Sequence, residues 1–167
     1  MFDVYSDYVN VFYELPQGDG LCIGLFQQVD QTDYVNKIRK HIGQGFQLTL
    51  EPSGIWIYNR SDYCIFISSP VIQSESSSDP NMDIVQTEVK RVPSGHCLHV
   101  IDFRKPYDLD KHRKSPRLCK GPYDLFCIRV SFAKGWGEKY TRQFITSCPC
   151  WTEIHLKEPC LVRMKLV

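Results

Sequence analysis

The chain has 167 residues, 20 Lys and Arg against 19 Asp and Glu, and a formal net charge of +1, with 43% hydrophobic and 13% aromatic residues. That length and apolar content fit one domain with a packed core and exclude a disordered chain. The charge balance excludes a global pull toward nucleic acid or an anionic membrane, so any anion site must be a local cluster.

The first residues, MFDVYSDYVN, are acidic and lack a basic region followed by an apolar one, so they do not read as a signal peptide. From there, short runs alternate apolar and polar residues with period two, the pattern of strands that bury one face. They lie at Val9–Leu15, Leu21–Phe26, Phe46–Leu50, Ile55–Tyr58, Cys64–Ser68, Leu98–Phe103, Phe126–Phe132 and Thr152–Leu156. Turn-rich separators divide them: Pro16 to Gly20, Pro52-Ser-Gly54, Pro93-Ser-Gly95 and Lys134-Gly-Trp-Gly137. About eight short strands spaced in this way predict a β-sandwich. The longest apolar run, Leu21–Phe26, is far below the roughly 20 residues that span a bilayer, so no membrane insertion is expected.

One helix is predicted. Thr32 or Asp33 caps it, Val35, Ile38 and Ile42 share a face, and Gly43 closes it. Lys37, Arg39 and Lys40 fall in its later turns, where cations suit the helix dipole, and they form a possible basic docking surface. Two segments read as loops. Gln73 to Asp83 is Ser-rich and acidic, and Arg104 to Lys120 carries seven Lys and Arg against two Asp. Lys111, Arg113 and Lys114 of the second loop extend the possible docking surface. No repeat or linker marks a second domain.

Catalytic and metal signals are weak. The chain has no P-loop, no GxGxxG and no Gly-flanked nucleophile. Cys148-Pro149-Cys150 with His155 lacks the paired spacing that zinc requires, and these cysteines read as small buried thiols. No metal, cofactor or catalytic residue is expected, and a Cys-dependent enzyme is the weaker alternative. Eight Cys without an export signal read as reduced thiols of the cytosol or nucleus.

The densest signal is FAKGWGEKYTRQFITSCPCW, Phe132 to Trp151. Lys134, Lys139 and Arg142 share a loop with Tyr140 and one acid, Glu138. Trp136, flanked by two glycines, can bury its indole while the backbone turns tightly around it. A loop held in one shape presents its cations with less entropy to lose on binding. Arg142 offers a planar fork for phosphate oxygens, Lys134 a point charge and Tyr140 a hydroxyl. These residues predict a site for a phosphorylated or acidic partner; the competing reading is that the aromatics are core and the cations solvated.

At this segment the chain resembles the Mad homology 2 domain of the Smad proteins. The string KGWG-x-x-Y-x-RQ-x-x-x-S-x-PCW carries the resemblance. Phe12 to Gly20, Leu21 to Leu25, His41-Ile-Gly-Gln-Gly45, Ser61-Asp62, Ile65-Phe66 and Val92-Pro-Ser-Gly95 extend it over nearly the whole chain. The subtype resembles the inhibitory Smads in FYELPQG, in IWIYNR at Ile55 to Arg60, in Gly121-Pro-Tyr-Asp124 and in RQFITSCPCW. The resemblance implies a mainly β, Smad/FHA-like sandwich with a loop-helix region at one end and a reduced helical bundle at the other. The whole chain, 1–167, then reads as a single such domain without the family's aromatic-rich first strand, which leaves a sheet edge unpaired.

The resemblance also implies an adaptor with no enzymatic activity that antagonises TGF-β and BMP signalling. Implied partners are an activated type I receptor serine/threonine kinase, receptor-regulated and common-mediator Smads, and, in the full-length protein, E3 ubiquitin ligases. No direct DNA binding by this domain is implied. The implied location is cytoplasm and nucleus, with recruitment to the plasma membrane by the receptor. An alternative is a nuclear co-repressor subunit acting through DNA-bound Smads or repressors. Lys134, Tyr140 and Arg142 match the family loop that meets phosphoserine or receptor; Lys139 sits at a position the family varies. The chain departs from receptor-regulated members by ending RMKLV with no serine after Ser147, so it reads as a receiver without the matching ligand. The segment after Pro159 is short for the activating members' C-terminal helix, and Asn59-Arg60 stands where they have Cys-Leu; both argue against their trimer.

Overall fold

The computed structural model describes residues 2–4, 7–13, 20–25, 32–69, 88–102, 104, 127–157 and 163–166. The Ser-rich segment 73–83, the residues from 105 to 124, and with them Lys111, Arg113 and Lys114, lie outside the described residues.

Two sheets face each other. The first has the order β1 (Phe2–Val4), β11 (Arg163–Leu166), β10 (Trp151–Lys157), β9 (Cys127–Phe132), β6 (Ile65–Ser68), β7 (Lys90–Val92). The second has the order β3 (Gly20–Cys22), β2 (Tyr8–Phe12), β4 (Phe46–Glu51), β5 (Gly54–Asn59), β8 (Cys97–Asp102). Every pairing is antiparallel except β2 with β3. The architecture is therefore the predicted β-sandwich.

Period-two burial builds the core. Ile65, Ile67, Ile128, Val130, Phe132 and Ile154 of one sheet meet Val11, Phe46, Leu48, Ile55, Ile57 and Val100 of the other, each at most 1% exposed. Phe46 and Phe132 stack across the interface with ring centroids 5.6 Å apart. Asn59, 2% exposed, ties the layers at one end. Its amide donates to the carbonyls of Tyr63 (2.8 Å) and Val92 (3.0 Å), and its side-chain oxygen accepts from the Ser61 amide and hydroxyl.

The predicted helix is α1 (Asp33–Lys40), capped by Thr32, whose hydroxyl accepts from the Val35 amide at 3.4 Å. Ile38 and Ile42 enter the sandwich core, so α1 closes one end of it. The chain leaves the helix through Gly43 and Gly45, both left-handed (φ 51° and 62°). A Cβ at Gly45 would meet the Val11 carbonyl oxygen at 1.7 Å, which fixes glycine there.

Three differences from the sequence reading are physical. The run Leu21–Phe26 stops as a strand at Cys22 and turns into a single 3-10 turn, Ile23–Leu25. Arg163–Leu166, which no alternating run marks, is a strand, and it covers the outer edge of β10, with β1 beyond it. Among the described residues α1 is the one α-helix, so the helical group expected at the opposite end falls on none of them.

Phe132→Ala removes the ring that links both sheets. The expected loss is about 3–5 kcal/mol of unfolding free energy, checked by urea denaturation.

Candidate phosphate-binding end

Phe66 breaks the inward-outward rule of β6. Ile65 and Ile67 point into the sandwich, yet Phe66 on the opposite face is also buried. The reason is the loop 133–150, which leaves β9 and folds back over the outer face of its own sheet. Trp136 (7% exposed), Ile145 and Cys148 bury themselves against Phe66, with Cys64, Val89 and Tyr140 around them. Trp136 is thus the anchor of the loop rather than a group that meets a partner.

The reversal begins at Ala133, which has φ 61°, uncommon for a residue with a Cβ. The Lys134 amide donates to the Phe132 carbonyl at 2.7 Å, and the Ala133 amide to Cys64 at 3.0 Å. Tyr140 then lies directly on Gly135, where a Cβ would come within 2.6 Å of its ring, and meets Phe66 edge-on at 5.4 Å. Gly137, at φ 94°, closes the tip by donating to the Arg142 carbonyl at 2.7 Å.

A shallow cleft of about 390 Å³ opens beside this packing, lined by Tyr63, Cys64, Phe66, Arg91, Ala133 and Tyr140. Arg91 was not singled out from sequence. It stands on β7 opposite Phe66 in the register, and its Nε donates to the Cys64 thiol at 3.1 Å. Only the β6–β7 pairing brings it to the cleft.

The predicted cations divide into two groups. Lys139 is tied to Glu88 by a short ion pair, and Lys90 reaches the same carboxylate at 2.8 Å. The Lys139 bond holds Glu88 below the usual carboxylate range and in turn raises the Lys139 ammonium. Lys139 is therefore engaged by its own chain and clamps the loop to the segment entering β7. Lys134 and Arg142 have no ion pair among the described residues; Lys134 instead lies 6.0 Å over the ring of Tyr34 on α1.

Helix α1 touches this end twice. Tyr34 meets Lys134, and His41 meets Tyr63 with ring centroids 4.7 Å apart. Lys37, three residues after Tyr34 and four before His41, shares that helix face. Lys40 is exposed on another face. Arg39 turns inward to the Cys150 thiol, which burial pushes up to about 11 against the opposing pull of that guanidinium. Of the helix cations, Lys37 is exposed on the face of Tyr34 and His41, and Arg39 is engaged within the fold.

The suspected thiols behave as core: Cys148 and Cys150 are each 5% exposed. His155 lies apart from them, across the β9–β10 register from Cys127 and near Glu153, with donor atoms of the three within 4.8 Å of one another. Glu153 already accepts from Arg129 at 2.7 Å.

A family model described as the MH2 domain matches residues 1–157. The chain belongs to the MH2 domain family. It is 42% identical over 156 residues to "Mothers against decapentaplegic homolog 6" of Gallus gallus, covering 93% of this chain and 34% of that protein. It is 39% identical over 154 residues to "Mothers against decapentaplegic homolog 7" of Homo sapiens, covering 92% of this chain and 34% of that protein. The chain thus spans about a third of the length of these relatives. Among solved structures, the interferon regulatory factor 9 IAD domain superposes with a TM-score of 0.50 at 14% identity, covering 77% of this chain and 61% of that one; this is a likeness of fold. Among the described residues no helix is long and apolar enough to cross a membrane.

Two outcomes test the MH2 site geometry. Gly135→Ala drives a methyl group into the Tyr140 ring and is expected to cost about 1–3 kcal/mol, measured by denaturant unfolding. The Glu88 carboxylate is held low by Lys139, so its contribution is present at neutral pH and is lost as pH falls through that depressed value. Protection of the amides of residues 137–142, corrected for the intrinsic pH dependence of exchange, should therefore fall in acid, and Glu88→Gln should remove that dependence.

Proposed function

We propose that this MH2 domain is a non-enzymatic adaptor of the inhibitory Smad kind. It binds the phosphorylated regulatory segment of an activated type I receptor serine/threonine kinase, competes there with receptor-regulated Smads, and so damps TGF-β and BMP signalling. The supporting observation is one: a loop fixed by a buried indole carries Lys134 and Arg142, with no ion pair among the described residues, next to its own Ala133 and Tyr140, which line a cleft together with Arg91. A phosphate entering there meets two guanidinium groups, an ammonium and a phenol. Charged hydrogen bonds are each worth roughly 1.5–3 kcal/mol, so two or three give micromolar-class recognition. Lys37 extends the basic surface along α1 toward flanking acidic residues. Contacts with the common-mediator Smad and, in the longer protein, with E3 ubiquitin ligases belong to the same proposal, as does residence in cytoplasm and nucleus with recruitment to the receptor-bearing membrane. The names of the relatives support the subtype.

The test is binding of the domain to a type I receptor kinase domain, before and after phosphorylation of its regulatory segment, at two salt concentrations. Phosphorylation should strengthen binding, and salt should weaken it, because exposed phosphate–cation contacts are screened. Arg142→Ala and Arg91→Ala should each weaken the phosphorylated complex by roughly 2 kcal/mol, about thirtyfold, with little change in unfolding midpoint. Equal, salt-insensitive affinity for both receptor forms would reject the proposal. An Arg142→Ala chain that unfolds would make that cation structural.

A further inference from the structure

Tyr34 has no role in the fold that burial would explain. It is the second residue of α1 and 49% exposed. Its ring carries the Lys134 ammonium at 6.0 Å, and its hydroxyl has no hydrogen-bond partner among the described residues. An aromatic face holds a cation weakly at an exposed site. A phosphate on the same ring would hold that cation by a charge-assisted bond instead.

We propose that Tyr34 is a phosphorylation site, and that its phosphate closes the basic end of the domain by capturing Lys134. The inference rests on the reading of Lys134 as a phosphate-binding cation. In the step, the phenol oxygen attacks the γ-phosphorus of ATP held by a protein tyrosine kinase. The bond from that phosphorus to the β–γ bridging oxygen breaks, ADP leaves, and the phenolic proton passes to the kinase's base. The location suits the modification. Residues of a helix's first turn lack the amide bonds that hold its interior, so this end can open to a kinase at little cost. Asp33 precedes the tyrosine, and the phosphate formed would sit in the helix's first turn, where negative charge is favoured.

Two effects then act against an incoming serine phosphate. Lys134 is engaged by an anion on its own chain, at an effective concentration on the order of millimolar. The added charge of about −1.5 to −2 also repels the ligand's phosphate from the cleft rim. Arg91 and Arg142 remain, so affinity falls rather than vanishes.

The experiment uses the whole chain with phosphotyrosine installed at position 34, alone and with Lys134→Gln. The phosphorus-31 pH titration, run without peptide, should show the second phosphate ionisation below its ordinary value of about 6, and Lys134→Gln should restore it. Binding of a phosphoserine peptide should be about tenfold weaker for the phosphorylated chain than for the unmodified one. A tyrosine kinase with ATP should label the unmodified chain at position 34, and Tyr34→Phe should remove that label. Identical titrations with and without Lys134, undiminished peptide binding, or no label at position 34 would each overturn the proposal. If the unmodified chain ignores the peptide, the site reading and the switch fall together, while the titration still decides whether the two side chains pair.

Discussion

The loop that follows β9 depends on the seating of the Tyr140 ring between Gly135 and Phe66. Gly135 leaves room for the ring, and Phe66 receives its edge at 5.4 Å. Trp136, Ile145 and Cys148 complete this small second core on the outer face of the sheet. The loop is thus a layer packed on rigid strands rather than a tether between β9 and β10. Its cations inherit the precision of the sandwich beneath them. Without the Phe66 surface the loop would have to order itself on binding, and that entropy would be subtracted from every phosphate contact.

Charge in this region is apportioned, which decides which cations can serve a ligand. A positive loop on a nearly neutral chain could be satisfied by its own acids. Glu88 does satisfy Lys139, and it reaches Lys90 as well. That ion pair is largely exposed, so its direct effect on stability is modest, but it pins the loop tip to the entry of β7. Arg39 is drawn inward to Cys150. Arg91 lines the cleft, and Lys134 and Arg142 have no ion pair among the described residues. The selection follows from which segments lie under the loop, because β7 carries Arg91 and the segment that leads into it carries the quenching acid, Glu88.

The parts legible in the sequence were those with local periodicity. Seven of the eight alternating runs became strands within a few residues of their expected limits, because one face of each had a core to fill. Thr32 and the Val35–Ile38–Ile42 spacing marked α1 for the same local reason. Trp136 between two glycines announced a buried indole, which the packing against Phe66 explains. What stayed hidden was set by register between distant segments. β7 and β11 are three and four residues long, too short to show alternation. Arg91 meets Phe66 only through the β6–β7 pairing, and Glu88 reaches Lys139 across 51 positions of sequence. The signal that could have found Arg91 was its place next to Val92-Pro-Ser-Gly95, since a strand ending in a turn must lie beside a partner. The division of the helix cations was open too, because spacing defines a face without saying what that face meets.

Ala133 shows how the fold and the site are joined. A residue with a Cβ in the left-handed region costs roughly 1–2 kcal/mol, and the chain accepts it at the point where β9 ends. An extended backbone there would carry Lys134 onward past the end of the sandwich. The turn instead folds the chain back, with the Ala133 amide bonded to Cys64 of the neighbouring segment and the Lys134 amide to Phe132. Lys134 is thereby set over the ring of Tyr34, and Trp136 arrives above Phe66 two residues later. The strain is offset by the burial it makes possible, and the same reversal that creates the second core sets Lys134 over Tyr34 of α1. Stability of the loop and presentation of its charges are, at this residue, one constraint.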